Sequence, residues 1–178
     1  PGAAITATVL VNPTPNAVAT PASQTICSGS TIAIIVLTGN VAGTVYNWVR
    51  DNSVTVTGIA AGGAGDINGS LTNITNVPVT VTFTITPVYT NAGVTCTGAP
   101  ITATVTVNPI PTVNVQADQT VCVGTITTAT FTGTVSGTVY NWTNTNTNIG
   151  LGASGTGNIS FTSTNATAVP ITGTITVT

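Results

Sequence analysis

The chain has 178 residues with one basic side chain (Arg50), three acidic ones (Asp51, Asp66 and Asp118), no His, Lys, Glu or Met, and about a quarter Thr. A single cation gives no electrostatic basis for holding nucleic acid or an anionic lipid surface, and the missing His, Lys and Glu remove the ordinary general bases, the amine nucleophile and any plausible triad. Low charge with abundant Val, Ile and Ala is the opposite of a disordered composition, and the longest apolar run, Ile32 to Leu37, is strand-sized and far short of the ~18 residues a spanning helix needs.

In chain order, the first segment is Gly2–Asn12, followed by Asn-Pro-x-Pro at Asn12–Pro15. Proline cannot extend a ladder, so the latter reads as a stiff, extended linker. Strands are then expected near 16–21, 31–38, 43–50, 53–59, 67–74, 77–88 and 99–108. The clearest is the stretch from 79 to 86, where Val79, Val81, Phe83 and Ile85 alternate with Thr. Ile101, Ala103, Val105 and Val107 do the same, as do Ile171, Ile175 and Val177. Period two puts an apolar set on one face and Thr, β-branched but polar, on the other. A second Asn-Pro-x-Pro follows at Asn108–Pro111. No stretch carries a helical period with caps. No signal peptide opens the sequence, which reads as a mature or internal segment.

The chain repeats itself. GTVYNW stands at Gly43–Trp48 and again at Gly137–Trp142, and these hold the only two Trp. GAAITATVLVNPTP (Gly2–Pro15) matches GAPITATVTVNPIP (Gly98–Pro111), QTIC at Gln24–Cys27 matches QTVC at Gln119–Cys122, and TNITNVPVTVTFTIT, ending at Thr86, matches TNATAVPITGTITVT, ending at Thr178. One repeat of roughly 95 residues is read almost twice, with small deletions placed where loops tolerate them. Seven short strands per repeat suit an immunoglobulin-like β-sandwich, in which Trp48 and Trp142, with Tyr46 and Tyr140, are expected to anchor the core. The expected organisation is residues 1–12 as the last strand of a preceding module, 13–108 as a complete sandwich and 109–178 as a sandwich lacking its final strand.

The phrases GTVYNWTNTNTNIGLGASGTGNISFTSTNATAVPITGTITVT, CTGAPITATVTVNPIPTV and QTVC resemble the PKD-like repeats of giant surface proteins of Bacteroidota, including gliding-motility and adhesin-type proteins exported by the type IX route. The resemblance implies all-β, tandem immunoglobulin-like (PKD-like) modules on the cell surface, with adhesive or fibre-forming roles and no catalytic residues. The first copy departs from the pattern at Val49–Gly62, where a different loop conformation is expected.

The chemistry-bearing residues are few. Cys27, Cys96 and Cys122 are scattered, not clustered as a zinc site requires, and no cofactor is implied. Cys27 and Cys96 each occur once per repeat, so a bridge within the module is the natural pairing, although a seven-strand sandwich puts them at opposite ends. Asp66 reads as a turn residue, because one carboxylate is too few for calcium and Asn158 stands at its place in the second copy.

Three functions are compatible with this pattern. The first is a structural module of an extracellular fibre or surface adhesin, whose partners are copies of itself. The second is ice binding through Thr-x-Thr ladders, and the third is carbohydrate binding through a sandwich loop. The first carries a geometric expectation. Residues 2–12 correspond to a last strand and the second module is short of one, so Ile5, Ala7, Val9 and Val11 should fill the second module of a neighbouring unit, head to tail. That neighbour is either a separate chain or, as the giant-repeat resemblance favours, a continuation of the same one. The near absence of charged residues to guard sheet edges points toward assembly as well.

Overall fold

The computed structural model describes residues 2–178 and is all-β, with one short 3-10 turn and no α-helix among the described residues. Pro1, the first residue of the expected 1–12 segment, lies outside them. The chain divides into two compact units, unit 1 ending at Pro109 and unit 2 spanning Ile110–Thr178.

Unit 1 contains β1 (Val18–Thr20), β2 (Ser23–Cys27), β3 (Val36–Thr38), β4 (Val45–Arg50), β5 (Val56–Gly58), β6 (Gly62–Ala64), β7 (Leu71–Asn73), β8 (Val79–Asn91), β9 (Val94–Thr97) and β10 (Ile101–Asn108). One sheet runs β2-β10-β8-β4-β6 with β9 paired to β8, and the β1–β3 and β5–β7 pairs lie outside it. The core forms where the alternating faces of β8 and β10 meet the apolar residues of those pairs. Val81, Phe83, Ile85, Ala103, Val105 and Val107 are fully buried together with Ile35, Val56, Ile67 and Leu71. Each of the larger side chains contributes roughly 1.5–3 kcal/mol by leaving water. On the outer face Thr80 and Thr106 share a hydroxyl hydrogen bond of 3.0 Å.

The strand count differs from the expected seven for local reasons. The expected strand at 16–21 ends at Thr20, before Pro21, which has no N–H to offer a ladder, and β2 beyond it is an additional strand. β1 pairs antiparallel with β3, whereas β2 pairs in parallel with β10. The strand expected at 77–88 runs on to Asn91 and returns as β9 through Ala92-Gly93, both at positive φ, the geometry of a tight hairpin. β6 was not expected at all, because Gly-Gly-Ala has little β propensity.

The departure at Val49–Gly62 is organised by Arg50. Its side chain is buried, and its guanidinium donates to the carbonyls of Ile59 (2.8 Å), Ala60 (3.1 Å) and Val56 (2.9 Å). Burial lowers its pKa and the Asp51 charge pulls it partly back. Unit 2 meets the same need without charge, since Asn144 donates to Leu151 O at 3.0 Å and Gly152 O at 3.3 Å.

Unit 2 contains β11 (Ile126–Ala129), β12 (Asn141–Asn144), β13 (Ser154–Thr156), β14 (Ile159–Thr162) and β15 (Ile175–Val177). β11 pairs with β14, and β12 lies between β13 and β15. Its core of Phe131, Trp142, Leu151 and Ile159 is smaller, and Phe161, Ile175 and Val177 pack against it half-buried.

Two outcomes follow for Arg50, the only tryptic site. The native chain should resist trypsin, since the scissile residue is buried in a strand; rapid cleavage under native conditions would contradict the structure. Arg50→Ala should lower unit 1 stability by about 2–4 kcal/mol in urea unfolding because several carbonyls lose their donors, and Arg50→Asn should recover part of that loss.

Candidate functional site

Trp48 and Trp142 are both buried, each laid against a glycine of the neighbouring strand. Trp48 registers with Gly63 and Trp142 with Gly155, and a Cβ on either glycine would overlap the indole. This explains why glycines occupy β6. The Trp48 indole N–H donates to Gly65 O at 3.1 Å, and the ring meets Phe83 edge-on at 5.7 Å. The Trp142 N–H is buried with no acceptor among the described residues. Tyr46 and Tyr140 are half-buried at the margins of the two cores, Tyr140 at 6.0 Å from the Phe131 ring.

The expected Cys27–Cys96 bridge is absent, and all three cysteines are free. Cys27 registers with Asn108 at the far end of β10, whereas Cys96 registers with Tyr89 on β9, before β10 begins. The eight-residue length of β10, at about 3.3 Å per residue, separates them beyond any disulfide span. This is the separation that a seven-strand sandwich gives, with the two cysteines at opposite ends. Asp66 serves as a backbone cap: its Oδ1 accepts from Leu37 N at 2.8 Å, and Asn158 Oδ1 accepts from Phe131 N at 2.9 Å in unit 2.

The feature that distinguishes unit 2 is a cleft of about 760 Å³. Residues 116–121 form one wall, 170–175 form the other, and Phe131, Ile159 and Phe161 line its base. In unit 1 the corresponding place is filled by β10, antiparallel to β8 and parallel to β2. The comparison is controlled by near-identical sequence. Gln24 donates to Ala33 O at 2.9 Å and Gln119 to Thr128 O at 3.0 Å, so the two segments are held alike. Yet Gln24–Cys27 belongs to a strand and Gln119–Cys122 does not, because only the former has β10 beside it. β15 likewise pairs only with β12.

Residues 2–11 form no strand. Ile5, Val9 and Val11 are 96%, 88% and 83% exposed, and Ala7 is exposed with them. The segment is rooted at Asn12, whose amide donates to Asn91 O at 3.2 Å and whose Oδ1 accepts from Asn91 Nδ2 at 2.8 Å. No helix among the described residues is long and apolar enough to cross a membrane.

Two measurements test this geometry. Gly63→Ala and Gly155→Ala should each destabilise their own unit by about 1–3 kcal/mol through overpacking against the indole, read by tryptophan fluorescence during urea unfolding. Thiol titration should find three reactive groups per chain, with Cys96 slower than Cys27 and Cys122; one group per chain would restore the bridge.

A search among curated proteins finds no match for the chain. Residues 24–111, running from β2 past the end of β10, match the PKD-like domain family. Such domains are typically extracellular and generally non-catalytic, and the all-β pairing of this stretch agrees with an immunoglobulin-like sandwich.

Proposed function

We propose that the chain is a structural module of an extracellular fibre or surface adhesin that assembles head to tail by strand completion. The observation that carries this reading is that an exposed segment, residues 2–12, repeats the words of β10, the strand that fills in unit 1 the place taken by the cleft in unit 2. Gly2–Pro15 and Gly98–Pro111 differ at few positions, and Ile5, Ala7, Val9 and Val11 stand where Ile101, Ala103, Val105 and Val107 stand in β10. The occupant is residues 2–12 of the next copy. A contact of this heterologous kind propagates and need not close. The resemblance to Bacteroidota surface arrays supports display outside the cell by the type IX route.

The register follows from unit 1. Ile101 faces Ile85 and Ala103 faces Phe83. By the repeat, Ile5 faces Val177 and Ala7 faces Ile175. Burying Ile5, Val9 and Val11 contributes roughly 5–9 kcal/mol, at about 1.5–3 kcal/mol for each side chain. Ladder bonds on both edges add to this against an association cost of about 4–15 kcal/mol. The donor segment carries no charge, so the contact should be nearly independent of salt.

The test is sedimentation of the 178-residue chain. The unaltered protein should form concentration-dependent polymers, and Val9→Asp, which places a charge in the cleft, should leave monomers with unit 1 unfolding unchanged. A chain that stays monomeric at high concentration, or a Val9→Asp variant that polymerises equally well, would overturn the reading.

A further inference from the structure

Asn73 in unit 1 is almost fully buried and uses both hydrogens of its amide. One goes to Val77 O at 2.7 Å within its own turn, and the other reaches across to Val107 O of β10 at 2.8 Å. Its Oδ1 accepts from Thr75 N and Thr75 Oγ1 at 2.8 and 2.7 Å. One residue beyond Val107, Asn108 O accepts from Ser28 N at 2.8 Å. The C-terminal end of β10 is therefore tied on both sides, once by a side chain and once by the opposite backbone.

Asn165 in unit 2 rebuilds this turn bond for bond. Its amide donates to Val169 O at 2.8 Å, and its Oδ1 accepts from Thr167 N and Oγ1 at 2.8 and 2.7 Å. The cross-strand bond is missing, as is the exchange in which Asn73 N donates to Ser28 Oγ and Ser28 Oγ to Asn73 O, since Val123 stands at the place of Ser28. Asn165 lines the cleft, its second amide hydrogen has no acceptor among the described residues, and it is half-buried where Asn73 is buried. Val123, at the place of Ser28, also lines the cleft, and its N–H has no acceptor among the described residues.

We infer that Asn165 and the Val123 N–H are the anchor for the C-terminal end of an incoming strand: the Asn165 amide receives the carbonyl of Val11 of the next copy, and Val123 N–H receives that of Asn12. This rests on the strand-completion reading and adds the groups that hold the strand in place. Alternation alone is a weak guide, since a slip of two residues keeps every apolar side chain on the inner face. The anchor sits at the last position the ladder allows, because Pro13 follows Asn12 as Pro109 follows Asn108 and neither can donate. Sliding the strand one way brings Pro13 into the ladder, and sliding it the other way leaves Val11 outside the cleft.

The experiment uses the full chain carrying Val9→Asp, which cannot donate its own strand, and a synthetic peptide of Gly2–Pro15. The peptide should bind, and both side-chain amide protons of Asn165 should become protected from exchange, matching Asn73. Asn165→Asp keeps the acceptor for Thr167 and loses the donor, and it should weaken binding about five- to tenfold. A peptide whose Val11 carbonyl is a thioamide, a poorer acceptor, should bind the asparagine form more weakly but lose little further on the Asn165→Asp form. Binding with an unprotected Asn165 amide and additive effects would overturn the anchor while leaving strand completion standing. No binding at all would overturn both.

Discussion

Everything else in unit 1 leans on the pairing of β10 with two partners at once. Antiparallel to β8, it completes the six-residue layer of Val81, Phe83, Ile85, Ala103, Val105 and Val107, all of which are fully buried. Parallel to β2, it turns Ser23–Cys27 into a strand. Among the described residues unit 2 has no strand at that place. Gln119–Cys122 lies in place but outside any ladder, and Ile175 and Val177 remain half-buried although Phe83 and Ile85 at the corresponding positions are closed off. Strand status here is a property of the neighbour more than of local propensity, as expected when cross-strand packing carries most of the energy.

The second regularity is that equivalent backbone needs are met by chemically different side chains. Arg50 and Asn144 hold corresponding loop carbonyls, one with a charge and one without. Asp66 and Asn158 accept from corresponding strand N–H groups. What is kept is the hydrogen bond, not the ionisation. That explains how a fold can persist with almost no charged residues. It also gives Arg50 and Asp66 a structural part in holding the backbone. Packing shows the same substitution of means: Val81 of unit 1 corresponds to Gly173, and the space a Cβ would take there is occupied by Ile149.

Much of this was legible in the sequence where a period of two ran long enough. Val79–Thr86 and Ile101–Val107 read as half-buried strands because their apolar and Thr residues alternate without interruption. The two Trp read as core positions because their flanks recur. β6 was hidden because its identity comes from being pressed under Trp48, which favours glycine, a residue that signals no strand. β2 was hidden because it lies past Pro21 and gets its ladder from β10, not from the β1–β3 pair. The apolar side of the candidate site could be found by self-comparison, since Gly2–Asn12 repeats the words of β10. Its polar side could not. The acceptor that explains Asn73 lies on a strand 34 positions away, and Asn-x-Thr-x-Val alone reads as a turn.

Asn12 shows how an exposed segment and a fixed root can coexist. Its side chain is tied to Asn91 of its own unit by two hydrogen bonds, while the ten residues before it are exposed. Just beyond, Pro15 is buried, and Gly98 lies so close to its carbonyl that any Cβ there would collide. The segment therefore leaves unit 1 from a residue fixed by hydrogen bonds. In the proposed assembly, Asn12 becomes the joint, its amide held by the donor's own unit and its carbonyl held by Val123 of the recipient. A root already ordered leaves less freedom to be lost on docking, which strengthens binding without any added contact.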